Sequence, residues 1–444
     1  MLKDSLQWLK IVREIKSEVH ILMKKVLVIA YQFPPMGGSG IQRTVKFVKY
    51  LRSFGWEPVV FTRELAGMGL KDESMLADIP SGIRVARIAS WDFTELSGIL
   101  KYPGKFFGRK ILIPDSERLW QYFGRKKAVS VVKEEGIDLI YTTSYPYSDH
   151  LMGLHLKRVL PGIPWVADFR DEWTNNPYLL DNPHNRLRMR LEKGLEKNVL
   201  THADYLIANT PKMLDNFLQN SKDIKGLKDK FCFIPNGYDE EDFAGLPSDM
   251  PENHRFTMTY AGLLYGQRKP DTLFEAVRRL IAKRLADAGR IRIKLIGNYK
   301  EGYMNKLAES YGLKDVVEVY PYMEHGECLR QLVSSDALLH IEGNGRGSEA
   351  FYSGKIFEYM NTGKPVLAII PAKGAAAQLI RDTRIGLVAD SDDVEQAMEN
   401  IRQLYSGWEN KTVNFAPDRE KIAGYERKVL TGKLAEVFNQ VLNK

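Results

Sequence analysis

The stretch Lys24-Lys-Val-Leu-Val-Ile-Ala-Tyr-Gln-Phe-Pro-Pro-Met-Gly-Gly-Ser-Gly40 is a short apolar run that gives way to a glycine-rich loop. Val26 to Ala30 contains no polar side chain, as expected of a parallel strand buried on both faces. Gly37, Gly38 and Gly40 then let the backbone approach a ligand closely or take positive φ, although they equally permit a plain tight turn. A helix is expected over 41–54. Strand, glycine-rich loop and helix in that order open a doubly wound α/β domain. No clean G-x-G-x-x-G with a downstream ribose acid follows, which argues against a dinucleotide.

Working outward, further strands are expected over 58–61, 139–141, 165–167 and 204–208, each separated from the next by a helical stretch. The pattern breaks at Phe233-Ile-Pro-Asn-Gly237 and an acidic, proline-containing segment to about His254. It then restarts, with strands expected over 257–261, 293–296, 317–320, 337–341, 365–370 and 386–389. The chain therefore reads as an extension (1–22), a first Rossmann-like domain (23–235), a second (236–415) and a helical segment (416–444) expected to pack back toward the first. Two such domains facing across a cleft place ligands at the carboxyl ends of both sheets.

A chain of 444 residues, 44% hydrophobic and 27% charged, is too long for one core. Its two cysteines, Cys232 and Cys328, exclude a disulfide scaffold and lack metal-ligand spacing, which fits a reducing cytosol. No window reaches the roughly 20 uninterrupted apolar residues of a membrane span. In residues 1–22, Trp8, Ile11, Val12, Ile15, Val19 and Leu22 fall at helical spacing among charges, as in an amphipathic helix. Residues 1–235 hold 36 basic and 26 acidic side chains, net +10, while the remainder is at −2. No helix-turn-helix, zinc or RNP-type signature accompanies this excess, so nucleic acid is not expected. The basic residues instead sit among aromatic and aliphatic ones, in 101–113, 119–127 and 186–190, a mixture suited to an anionic membrane surface.

Tyr352-Ser-Gly-Lys-Ile-Phe-Glu-Tyr-Met-Asn-Thr-Gly-Lys-Pro-Val-Leu-Ala368 is a polar turn running into a helix that ends at Gly363 before an apolar strand. Ser353, Gly354 and Lys355 offer helix-start amides and an ammonium to an anion. Glu358, one turn on, is placed to accept hydrogen bonds from ribose hydroxyls. The pattern is that of a nucleoside diphosphate site.

Taken with Phe33-Pro-Pro-Met-Gly-Gly-Ser-Gly-Ile-Gln-Arg43, Ser144-Tyr-Pro-Tyr-Ser-Asp-His150, Ala167-Asp-Phe-Arg-Asp-Glu-Trp173, Ile234-Pro-Asn-Gly237 and Ala261-Gly-Leu-Leu-Tyr-Gly-Gln-Arg268, the segment Ser353-Gly-Lys-Ile-Phe-Glu358 carries a resemblance. The chain resembles glycosyltransferase family 4, retaining enzymes of GT-B fold, and more narrowly its bacterial polysaccharide-type members. The resemblance covers residues from about 24 onward. It implies a nucleotide-sugar donor held by the second domain and a glycan or lipid-linked acceptor held by the first. Glu358 matches the last Glu of the family's E-x7-E signature, the ribose ligand. The first falls on Ala350, with Glu349 one residue out of register, so the usual sugar-contacting carboxylate is missing. Arg268 stands where the family has its diphosphate-binding lysine, with Lys269 beside it, and Leu263 replaces the companion arginine. Gly37, Gly38, Gly40, Gly297 and Tyr322 complete the implied donor site.

His150 follows a Tyr-Pro-Tyr-Ser turn at the carboxyl end of the strand expected over 139–141, and its family counterpart lies beside the transferred sugar; a lone histidine is also often a plain structural residue. Asp168-Phe-Arg-Asp171 sets three charges in four residues after a strand, costly to bury unless paired. Asp171 is assigned with His150 to the catalytic centre, and Arg43, Asp168 and Arg170 to the acceptor, with a structural role an equal alternative for Asp168 and Arg170. The implied reaction is sugar transfer with retention, the leaving phosphate oxygen helping to deprotonate the acceptor hydroxyl. No Asp-x-Asp motif stands in a suitable loop, so no metal and no cofactor is expected. A GT-B nucleotide-sugar 2-epimerase and a catalytically silent nucleotide-sugar-binding protein are the alternatives.

Overall fold

The computed structural model describes residues 23–38, 40–64, 72–90, 102, 108, 111–247, 252–412 and 415–443. The expected amphipathic helix of 1–22 and most of the basic 101–113 segment lie outside them.

Two parallel sheets form the framework. The first has seven strands: β1 (Lys24–Ile29), β2 (Trp56–Arg63), β3 (Arg84–Ile88), β4 (Leu139–Ser144), β5 (Trp165–Phe169), β6 (Tyr205–Ala208) and β7 (Phe231–Phe233). Their spatial order is β3-β2-β1-β4-β5-β6-β7. The second has six: β8 (Phe256–Ala261), β9 (Ile291–Ile296), β10 (Val317–Tyr320), β11 (Ala337–Ile341), β12 (Val366–Ile369) and β13 (Gly386–Ala389), ordered β10-β9-β8-β11-β12-β13. Every pairing is parallel, with β1 beside both β2 and β4, and β8 beside both β9 and β11. Each sheet buries apolar clusters on both faces, one around Leu27, Phe61 and Trp120 and another around Val26, Val45 and Leu434 in the first. The second sheet is covered likewise, around Leu273 and Ile293 on one side and Ile356 and Leu379 on the other. This two-sided burial explains the uninterrupted apolar strands of the sequence.

Strand order reverses between β1 and β4 in the first sheet and between β8 and β11 in the second. Crevices open at the carboxyl ends of strands where such reversals occur. The glycine-rich loop leaves β1 there, the Tyr145-Pro146-Tyr147 turn leaves β4, the 262–269 loop leaves β8, and Glu342 follows β11. The helix Arg427–Leu442 crosses back onto the first sheet, where Phe438 packs edge-on against Trp56 with ring centroids 5.1 Å apart. The two crossings of the chain between the sheets run side by side: Tyr238 N donates to Tyr425 O, and Arg427 N to Tyr238 O at 2.7 Å. No helix among the described residues is long and apolar enough to cross a membrane.

The strands and helices differ from expectation mainly at edges. β3 and β7 have no counterpart among the expected strands, because an edge strand buries little and loses the continuous apolar signature. The helix expected over 41–54 is α-helical only over Gln42–Tyr50 and tightens to a 3-10 turn over Leu51–Phe54, ending at Gly55 in the left-handed region.

Candidate active site

The second domain builds a cationic pocket at its β8/β11 reversal. Gly262 has φ +128°, and a Cβ there would stand 2.1 Å from Lys355 Nζ, so only glycine leaves room for that lysine. Lys355, at the start of the helix Lys355–Asn361, reaches into this space, donating to Tyr260 Oη at 3.1 Å and lying 4.3 Å from that ring's centroid. Burial and then the nearby Arg268 charge hold its ammonium down to about 8. Arg268 donates through Nε to Glu342 Oε2 at 2.5 Å, its guanidinium set near the rings of Tyr265 and Phe351. Burial pushes the Glu342 carboxyl up, with Arg268 opposing. His340 is buried beside this group with neither ring nitrogen hydrogen-bonded, and burial together with Lys355 and Arg268 lowers it to about 3. Two cations and a neutral imidazole thus converge around one carboxylate, an arrangement complementary to an anion.

Glu358, on the same helix as Lys355, accepts on Oε1 from His325 Nε2 at 2.9 Å and from Gln42 Nε2 at 3.0 Å. Burial opposes its ionisation, yet these bonds and the His325 charge hold its pKa below the usual carboxylate range. Burial likewise acts against His325, but Glu358 and Asp242 raise it to about 9.

The first domain contributes the opposite wall. Arg170 donates to the carbonyls of Gly40, Ser144 and Tyr145, bracing the glycine-rich loop against the turn after β4. Asp171 lies in the field of both Arg170 and Arg268, while burial raises its carboxyl. A narrow crevice runs between Arg170, Asp171, Glu172 and Met213 on this side and Gly347, Ala350 and Phe351 on the other. A second lies between Pro177 and Asp181 and the Gln267, Arg268, Glu342 and Gly345 wall. Glu172, raised to about 7 by burial against the donors Asn175 and Asn216, faces the first crevice.

The expected site residues fall into two groups. Arg268, Lys355 and Glu358 come together, facing Asp171 and the glycine-rich loop across the cleft. Ser353 and Gly354 form the turn into the Lys355 helix, their carbonyls accepting from Ile356 N and Phe357 N. Gly37 and Gly38 lie in the loop after β1, Gly38 at φ +126°. Tyr322 stands at the rim, 45% exposed, and Lys269 is an exposed loop residue apart from the cationic pocket.

Four of the expected site residues have partners within the protein itself. Arg43 and Asp168 form a bidentate ion pair at 2.8 and 3.0 Å, 2% and 0% exposed, and Arg43 also donates to the Ile234 and Pro235 carbonyls. The pair fastens the helix Gln42–Tyr50 to β5 and to the interdomain crossing, leaving no face for an acceptor. Arg170 is committed to three carbonyls and acts here as a brace. Gly297 is explained by packing, since a Cβ there would stand 2.4 Å from the Gly262 carbonyl oxygen.

His150 lies in the first turn of the helix Ser148–Val159, fully buried against Phe169. Its Nδ1 is 2.8 Å from Thr142 Oγ1, which accepts from the Trp165 indole N–H at 2.9 Å. The indole can only donate, so the Thr142 proton is available to Nδ1, and the proton of the neutral ring then resides on Nε2. That atom has no protein partner among the described residues, and burial lowers the ring to about 3, so it stays neutral.

Ala350, where a carboxylate was missing, is buried at the domain seam, its carbonyl accepting from Thr210 Oγ1 at 2.8 Å, while Glu349 is exposed. Gln42, His325, His340, Glu342 and Glu172 were not among the residues singled out from sequence. Glu342 follows a buried strand as directly as Asp168 does, a signal that would have found it; for Gln42 and His325 no such signal exists. Among the described residues one group of three carboxylates lies close enough for a metal, Asp78, Asp239 and Asp242. The ammonium groups of Lys46 and Lys49 already fill it, Lys46 bonding all three and Lys49 bonding Asp78 and Asp239.

Two Rossmann-like domains facing across a cleft, with a cationic pocket at the switch point of the second, define the GT-B fold. The comparisons agree: the model of Glycosyltransferase Family 4 matches residues 38–242, and that of Glycosyl transferases group 1 matches residues 248–428. The chain belongs to the family 4-like glycosyltransferases. No curated protein sequence matches it significantly. Among solved structures it is similar to a glycosyltransferase from Rickettsia africae (13% identity, TM-score 0.63, covering 95% of this chain and 99% of that one). It is also similar to sucrose-phosphate synthase from Thermosynechococcus elongatus (15% identity, TM-score 0.64, 95% and 99% covered). A third is a UDP-N-acetylglucosamine 2-epimerase described as putative, from Listeria monocytogenes (12% identity, TM-score 0.55, 94% and 96% covered). At these identities the likeness is one of fold.

Proposed function

We propose that the protein transfers a sugar from a nucleoside diphosphate sugar to a hydroxyl of a glycan or lipid-linked acceptor, with retention at the anomeric carbon, in the assembly of a cell-surface polysaccharide. The observation that carries this reading is the convergence of Arg268 and Lys355 on Glu342, with Glu358 one turn further along the Lys355 helix. Two cations held out of water around one carboxylate are stabilised by an arriving diphosphate. Arg268 and Lys355 take up the charge of the departing diphosphate, and Glu358 holds the ribose. The Nε2–H of His150 donates to the sugar, and Asp171 lies on the acceptor side of the cleft. The leaving oxygen accepts the proton of the incoming hydroxyl on the same face, so the protein contributes positioning and charge stabilisation. The proposed reaction assigns no step to a metal.

We place the protein on the cytoplasmic side of a membrane that carries the acceptor. Arg188 is withdrawn from the basic surface by its bonds to Glu192 and the Pro114 carbonyl. Lys126, Lys127, Arg186 and Arg190 remain exposed, next to exposed Tyr122, Phe123, Leu187 and Leu191, on two helices that flank the Ser148–Val159 helix. Sedimentation with anionic vesicles at low salt, and its loss at high salt, is the expected outcome; no binding at low salt refutes the membrane placement.

Incubation with a panel of nucleotide sugars, with and without glycan and polyprenyl-phosphate-linked acceptors, tests the reaction. Transfer with the α or β configuration of the donor kept supports it. An epimerised donor without acceptor indicates the epimerase reading, and binding without turnover across the panel indicates a silent protein.

A further inference from the structure

Glu358 receives two hydrogen bonds on one oxygen, and the donors belong to different domains. Gln42 begins the helix that leaves the glycine-rich loop of the first domain, and His325 begins the helix His325–Val333 of the second. Gln42 Nε2 and His325 Nε2 stand 3.0 and 2.9 Å from Oε1, and among the described residues no protein donor reaches Oε2. One helical turn beyond Gln42, Lys46 bonds Asp242 and Asp239 of the interdomain crossing. Asp242 in turn faces His325. The Gln42–Tyr50 helix therefore touches the Glu358 group twice, directly through Gln42 and indirectly through Lys46 and Asp242.

We propose that Gln42 is a positioning residue that ties recognition of the donor ribose to closure of the two domains. With the domains together, Gln42 and His325 fix Oε1 from two sides and present Oε2 to the ribose hydroxyls. With the domains apart, Glu358 keeps only His325, and its carboxylate turns more freely. Whatever closure adds to ribose binding, ribose binding adds to closure. The proposal rests on the reading of Glu358 as the ribose ligand.

The test is isothermal titration of the full-length protein with UDP, GDP and ADP, and with the 2′,3′-dideoxy form of whichever binds most tightly. Gln42→Ala removes a hydrogen bond to a charged acceptor and is expected to weaken the ribonucleoside diphosphate about ten-fold or more. The dideoxy ligand, which has no hydroxyl for Oε2, is expected to bind both proteins equally. Gln42→Glu, which sets a second carboxylate against Glu358, is expected to weaken the ribonucleotide further.

Glu358→Ala separates this idea from the one beneath it. If it weakens the ribonucleotide while Gln42→Ala does not, the coupling is overturned and the ribose assignment stands. If Glu358→Ala has no effect, or no diphosphate binds, the ribose assignment falls and the coupling with it. An equal loss for ribo and dideoxy ligands in Gln42→Ala also overturns the proposal, because it marks a disturbed helix rather than a message passed through Glu358.

Discussion

Replacing Arg268 by alanine has two consequences that the geometry allows to be separated. The first concerns the ligand. A guanidinium held near the rings of Tyr265 and Phe351 is oriented before the diphosphate arrives, so a charge-assisted contact is lost with little compensating freedom. Its removal is expected to cost about 1.5–3 kcal/mol, or roughly 10- to 150-fold in Kd. The second concerns the protein. Arg268 and Glu342 are 13% and 12% exposed at the side chain, and burial already pushes Glu342 up, so the abandoned carboxylate takes up a proton or destabilises the fold. Breaking a buried pair from one side costs up to about 3–5 kcal/mol. Arg268→Ala in a Glu342→Gln background relieves that second cost while leaving the first. Calorimetry with nucleoside mono- and diphosphates on the single and double variants reads both. The diphosphate should lose affinity in each variant and the monophosphate much less. Equal losses for the two ligands would refute phosphate recognition by Arg268. Recovery of diphosphate affinity in the double variant would show that Arg268 acts only by neutralising Glu342.

His150→Gln should lower kcat and kcat/KM together with little change in donor affinity, as expected of a contact made mainly in the transition state; a raised donor KM at constant kcat would assign His150 to binding instead. Because the ring is lowered to about 3, the pH–rate profile of the native enzyme should show no step from this histidine near pH 6.5. Diphosphate affinity should fall as pH rises through about 8, where Lys355 loses its proton, and a Lys355→Met variant should abolish that fall. Asp239, held down to about 2 by Lys46, Lys49 and Tyr50 against the effect of burial, stabilises the fold above the ordinary carboxylate pKa. That contribution, roughly 2 kcal/mol, is lost as pH falls from about 4 through about 2; urea unfolding of native protein and Asp239→Asn should converge there and differ at pH 7.

The parts of this molecule that were readable from sequence are those whose physical cause is local. Strands buried on both faces, such as β1, β6 and β12, announce themselves by short apolar runs, and Lys355 and Glu358 lie within one helical turn of each other. What was hidden depends on distance in the chain. The Gln42 and Glu358 bond joins residues 316 positions apart, and nothing near either position reveals it. The same holds for Arg43 and Asp168, whose charges look available to a ligand until the fold presses them against each other. Charge after a strand marks a place where something must be neutralised; whether the partner is a substrate or another part of the chain is decided by tertiary structure.

The crossing of the Arg427–Leu442 helix onto the first sheet bears on how the polypeptide acquires its structure as it is made. Leu430, Leu434 and Phe438 complete a core whose other members, Val26, Val45, Trp56 and Tyr141, emerge from the ribosome hundreds of residues earlier. The second sheet has no comparable debt, since its strands lie between Phe256 and Ala389 and the later residues in its core, from Ala397 to Ile422, follow directly. Domains made first usually fold first. Here the half synthesised earlier must wait with one apolar face uncovered while the half synthesised later closes on itself, so the vulnerable species during synthesis is the domain that carries the glycine-rich loop.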